Sequence, residues 1–104
     1  MDAAIRDMLH ETVLIAPYLG QDGYGKPNYG PAVPSAAYIE RHFVTQLATT
    51  GALLVEETVL WLPPEAVIDE RSQLTLPDGK IAPIEGLKPI KDENGALDHV
   101  QVYL

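Results

Sequence analysis

Three groups of residues in this 104-residue chain have types and spacings that chemistry can use. The first is Asp98-His99, inside "DENGALDHVQVYL" at 92–104. A carboxylate beside an imidazole can fix its tautomer and aim it as a base or a metal ligand. The segment reads as a strand, however, and neighbours on a strand face opposite ways. Val100, Val102 and Leu104 form its apolar set with Asp98 at the rim, while His99, Gln101 and Tyr103 point the other way. Asp98 and His99 are therefore not expected to converge on one ligand, and Asp98 is expected to bond the Asn94-Gly95 turn. No Ser or Cys sits in a recognisable nucleophile context.

The second group is "GQDGYGKP" at 20–27, which matches the G-x4-G-K start of a phosphate-binding loop. The match fails at Pro27, where Ser or Thr should hold magnesium and begin a helix. Without a helix N-terminus or a parallel βαβ pattern, the stretch reads as a surface loop, and its tyrosines suit protein contact. The third group is His10, His42 and His99 with nearby acids. Glu40 and His42 share one strand face, but two ligands do not make a site. The sequence thus gives no catalytic, cofactor-binding or metal-binding residue, and no enzyme is expected.

The elements that carry these residues follow from length and pattern. One hundred and four residues make a single domain, 1–104, and the 46% hydrophobic content is enough for a small packed core. Fifteen acids against seven bases give a formal net charge of −8, which argues against a duplex-DNA or RNA binder that needs a basic stripe. There are no cysteines, hence no disulfide framework or thiolate site. "MDAAIRDMLH" carries acids where a secretory leader has a basic start, and no apolar run approaches a membrane span.

Residues 2–11 are the one helix candidate, with Ile5, Met8 and Leu9 at i, i+3, i+4 and Asp2 placed as a cap. The remainder, 12–104, reads as β-structure. "TVLIA" (12–16) is a strand, and the Gly- and Pro-rich 18–34 is an irregular loop. "AAYIERHFV" (36–44) and "ALLVEETVLWL" (52–62) are strands joined by the loop 45–51. On the second, Leu53, Val55, Val59 and Trp61 share one face, and Leu54, Glu56 and Thr58 the other. Leu60-Trp61-Leu62 is apolar on both faces, so cover from the helix or a partner is expected at that end. "PPEAVIDERS" (63–72) suits a single helical turn. Leu76-Pro-Asp-Gly-Lys80 and Asn94-Gly95 mark hairpin turns, and Pro83 and Pro89 place the intervening strand at an edge. The expected fold is mainly β: a small antiparallel β-barrel or sandwich with one short N-terminal helix and long loops.

The order of "DGYGKPNYG", a long hairpin ending in "VLWLP", then "LTLPDGK", "GLKPIKDENG" and "LDHVQVYL" resembles the head-closure, or stopper, proteins of tailed double-stranded DNA bacteriophages. The resemblance spans roughly 12–104. It implies a β-barrel subunit repeated as a ring in the virion neck, between the portal and adaptor ring and the tail, retaining packaged DNA without an active site or cofactor. It also implies that the segment between the two long strands, Thr45, Gln46, Leu47, Ala48, Thr49, Thr50 and Gly51, reaches into the channel as a gate. Tyr24, Tyr29 and Trp61 are candidates for subunit or ring contact. A net charge of −8 per subunit, multiplied around a lumen, would repel DNA and let it slide through without sequence-specific binding. A tail terminator or another connector ring is the near alternative. An acidic DNA-mimic inhibitor is the alternative of another class, though the acids are scattered in ones and twos, unlike a row of phosphates.

Overall fold

The computed structural model describes residues 3–104. It is mainly β, with one short helix and a seven-stranded sheet that curls into a half-barrel. In chain order the elements are α1 (Ala3–Arg6), β1 (Glu11–Ala16), β2 (Tyr18–Gln21), β3 (Pro27–Tyr29), β4 (Val33–Ala48), β5 (Gly51–Leu62), β6 (Gln73–Thr75), β7 (Ile81–Ala82), β8 (Gly86–Lys91) and β9 (Leu97–Tyr103). Every strand pairing is antiparallel. The large sheet runs β7-β6-β1-β4-β5-β9-β8, and β2 and β3 form a separate two-stranded sheet.

The curl follows from one short connection. β7 and β8 are the two edges of the large sheet, yet only residues 83–85 separate them. Four Cα steps reach at most ~14 Å, whereas six strand spacings across a flat sheet would need about 29 Å. The sheet must therefore roll until its edges approach. Inside the roll lie Val13, Ile15, Ala37, Leu60, Leu62, Leu74, Val100 and Val102, all buried. They come from β1, β4, β5, β6 and β9 at alternating positions, the period-2 signature of a sheet with one buried face.

The helix is shorter than the expected 2–11. Asp7 to Leu9 close with bonds that tighten from i−4 to i−3 (Asp7 N to Ala3 O, Met8 N to Ile5 O, Leu9 N to Arg6 O), and the His10 ring donates from Nδ1 to the Asp7 carbonyl at 3.0 Å. That side chain satisfies a terminal carbonyl, and β1 begins one residue later. Only Leu9 of the expected apolar stripe is buried; Met8 is exposed. The Asp2 cap lies outside the described residues.

Segment 18–34 is more regular than its composition implies. One tight turn reverses the chain within it, where Asp22 N donates to Lys26 O and Gly25 N to Asp22 O, with Gly25 at φ +78°. β2 and β3 pair on either side of it. The same bond pattern closes Leu76–Lys80 and Asp92–Ala96, with Gly79 and Gly95 in the left-handed region. All three are three-residue hairpin loops ending in a glycine. Residues 63–72 hold turns but no helix; Ala66 N bonds Pro63 O and the chain moves on. Pro83 follows β7 and Pro89 lies in β8, both edge strands, as a residue without an N–H requires.

Candidate functional site

The most unusual feature is the β4–β5 hairpin. Its register runs from Tyr38↔Trp61 to Ala48↔Gly51, but its outer neighbours stop early. β1 pairs β4 only as far as Ala37, and β9 pairs β5 only from Val59. Beyond those points, apart from a bond from Leu104 N to Thr58 O, neither outer edge of the hairpin pairs with another described strand, and it stands out as a two-stranded arm. The radius of gyration, 15.7 Å, exceeds the ~13 Å of a compact chain this long, as a projecting arm requires.

Loop 45–51 is accordingly not a loop. Thr45, Gln46, Leu47 and Ala48 complete β4, Gly51 opens β5 at φ +121°, and only Thr49-Thr50 form the turn. The β-branched and apolar residues on both sides prolong the ladder until the glycine lets the chain reverse.

Alternation sorts the arm's side chains. Phe43, Thr45, Leu47, Ala52 and Leu54 continue the face that buries Leu60 nearer the base, while Val44, Leu53 and Val55 lie on the other. Both faces are open to solvent: Leu47 is 89% exposed, Leu54 70% and Phe43 65%. Residues 44–55, VTQLATTGALLV, carry no charge in a chain of net charge −8. At the arm's root, His42 Nε2 meets Glu57 Oε2 at 3.0 Å directly across the ladder, and Arg41 lies 4.0 Å from Glu56. Glu57, not Glu40, is therefore the partner of His42. All four groups are about half-exposed, so such pairs stabilise little, of the order of 0–1 kcal/mol.

The second feature is a polar–aromatic cluster on the outer face of β5 and β9. Tyr103 donates to Gln101 Oε1 at 2.9 Å, the Gln101 amide nitrogen lies 3.4 Å from His99 Nε2, and His99 Nδ1 meets Asp98 Oδ2 at 2.6 Å. The His99 ring stacks on Trp61 (centroids 4.7 Å, planes 10° apart), and Tyr38 meets the indole in an edge-to-face arrangement at 6.1 Å. His99 is 6% exposed.

Asp98 and His99 do come together, contrary to the alternation argument, and the reason is a bulge. Ile90 pairs His99 and Lys91 pairs Leu97, leaving Asp98 as the extra residue on β9. A bulge re-aims a side chain that strict alternation would send to the far face. The His99 hydrogen bond holds the Asp98 carboxyl below its ordinary range. Asp92, not Asp98, serves the Asn94-Gly95 turn, its Oδ1 accepting from Asn94 N and Ala96 N. With both ring nitrogens engaged and one ring face on Trp61, the imidazole works here as a clasp between β9 and β5. It also covers one face of Trp61, which stays part-exposed.

The remaining sequence candidates lie on different elements. Asp22 Oδ1 accepts from Tyr24 N and Lys26 N, so the amides a phosphate would need in "GQDGYGKP" already serve the turn. Tyr24 is exposed at the tip of the β2–β3 hairpin, Tyr29 packs edge-on against Tyr18 at 6.0 Å, and Trp61 belongs to the other sheet. Among the described residues no three His, Asp or Glu side chains gather as a metal site.

A third feature escaped sequence reasoning. An apolar cleft of about 390 Å³ opens at the foot of β4, lined by Leu9, Ile15, Pro17, Val33, Ala66 and Val67. At its rim Arg6 and Glu65 pair at 2.6 Å, and that hydrogen bond lowers the Glu65 carboxyl from its usual range. Its residues come from four separate segments, so no spacing rule could have assembled them. The arm does have a signal in the sequence, the uncharged run 44–55, which the expectation of a loop at 45–51 passed over. Compared with known proteins, the chain matches no family model and no curated protein.

Proposed function

We propose that this protein is a structural subunit of a bacteriophage neck, forming a ring that joins head to tail and closes the DNA exit channel. The observation that carries the reading is the free β4–β5 arm. The head-closure resemblance asks for a β-barrel with one helix and a long element between its two central strands that projects into the channel. Here that element has an uncharged tip at Thr49-Thr50 on an acidic chain. In this reading the subunit acts without catalysis or cofactor. Its partners are its own copies, the portal or adaptor ring and the tail terminator, and the packaged DNA passes through without being bound.

Electron microscopy of virions with the subunit labelled tests the location: density is expected as a ring between head and tail, and label elsewhere or absent from particles overturns the reading. Deleting residues 45–51 tests the gate. Particles should still package DNA but lose it before tail attachment; unchanged DNA retention would refute the gating role while leaving a ring intact.

A further inference from the structure

We propose that the arm of one copy seats in the apolar cleft of the next, with Phe43, Leu47 and Leu54 as the inserted side chains.

The arm and the cleft are both unfilled parts of the same molecule. A two-stranded hairpin is at best marginally stable in water alone, and natural proteins blunt exposed edges with charges, prolines or short strands. The true sheet edges here follow that rule: β7 has two residues, and β8 carries Lys88, Pro89 and Lys91. The arm has none of these devices along 44–55 and exposes large apolar side chains on both faces. An occupant that covers it is the consistent explanation.

Charge selects that occupant. Two copies each carrying −8 repel over most of their surfaces. The arm from 44 to 55 has no charge, and the charged groups on the cleft among the described residues, Arg6 and Glu65, pair with each other. Arm against cleft is thus a contact that two acidic copies can make without added repulsion. The arm cannot fill the cleft of its own chain. The cleft uses Val33 to Ala36 at the foot of β4, and Leu47 lies eleven residues further along the same strand, about 36 Å at ~3.3 Å per residue.

Of the arm's two faces, the one with Phe43, Leu47 and Leu54 is the more exposed. The cleft volume is large enough for a few such side chains, within the range of ordinary ligand pockets. Val67 and Val33 stand exposed at its rim and would be covered by the contact. Because arm and cleft are different surfaces, the contact is head-to-tail, and repeated contacts give a ring if the rotation closes. The inference deepens the ring reading and rests on it for that closure. It leaves the Thr49-Thr50 turn free to act at the channel.

The absence of cysteine permits a direct test on the full chain. Leu47→Cys and Val67→Cys proteins are purified separately, mixed at high concentration, oxidised with copper phenanthroline and run on a non-reducing gel. The expected result is a heterodimer at least several-fold more abundant than either homodimer, and a ladder of multimers from the Leu47→Cys/Val67→Cys double variant. Adding Phe43→Glu and Leu54→Glu to the arm partner should abolish the heterodimer without changing its circular dichroism. A heterodimer no more abundant than that of Leu47→Cys with Tyr24→Cys, an exposed control, overturns the proposal. So does a dominant Leu47 homodimer, which means arm-to-arm contact. The virion reading fails separately: it is lost if particles lack the subunit, whatever the cross-linking shows.

Discussion

If the arm exists for contact and not for the fold, removing it should leave the barrel standing. Phe43 and Glu56 are directly opposed across the ladder, so residues 44–55 can be replaced by an Asn-Gly turn that closes the shortened hairpin. None of the eight core residues lies in the excised segment. Ordering those twelve residues costs on the order of 12–24 kcal/mol of backbone entropy, and within one subunit it is offset mainly by the hairpin's own cross-strand bonds and side-chain pairs. The net contribution of such a hairpin is near zero, so the truncated chain should match the parent to within about 1 kcal/mol. Urea unfolding followed by Trp61 fluorescence and far-UV circular dichroism measures this, with an m-value about a tenth smaller because less surface is exposed on unfolding. A loss above about 2 kcal/mol, the range of a buried leucine truncation, would show that the barrel depends on the arm. The claim that the arm needs an external occupant would then fall.

The core and the clasp make contrasting predictions. Leu60→Ala, at a fully buried position in the centre of the roll, should cost about 2–5 kcal/mol by the same urea assay. Asp98 has its carboxyl lowered by the His99 hydrogen bond, so the folded state favours the carboxylate. That stability is present above the unfolded aspartate value of about 3.9 and is lost as pH falls through the folded value. Asp98→Asn should therefore be less stable than the parent at neutral pH, and the gap should narrow in acid; equal gaps at pH 7 and pH 3 by urea unfolding would contradict this.

How much of the molecule was legible in the sequence depended on the range of the interaction. Turn chemistry is local, so Leu76–Lys80 and Asn94-Gly95 could be read as hairpins, and Pro83 and Pro89 as edge markers. Strand alternation placed Leu53, Val55, Val59 and Trp61 on one face of β5 as observed. What failed was where a local rule met a non-local fact. The bulge that turns Asp98 toward His99 is set by pairing with β8. The helix stopped at Arg6 because the His10 side chain and the onset of β1 ended it. Residues 45–48 joined a strand because an opposing strand was there to pair with them. The cleft was invisible, since Leu9, Ile15, Val33 and Val67 meet only after the sheet has curled.

The hairpins also show that the arm's tip is a different kind of structure. The turn at Asp22–Lys26 and the turn at Asp92–Ala96 each have an aspartate at the first position whose Oδ1 accepts two backbone N–H bonds. In Leu76–Lys80, Asp78 Oδ1 accepts from Lys80 N. Each of these turns thus carries a carboxylate that both locks the reversal and keeps the tip charged. The arm, whose strands are the longest in the chain, turns at Thr49-Thr50 with no acid within residues 44–55. A carboxylate there would add a negative charge beside the contact between two acidic copies and weaken it by repulsion, even though the turn itself stays outside the cleft. The three short hairpins can tolerate charged tips because they end in water. An uncharged tip on the longest hairpin fits a segment that ends against protein or in a confined channel. It follows that Thr49→Asp should leave the isolated subunit folded and weaken the contact between subunits.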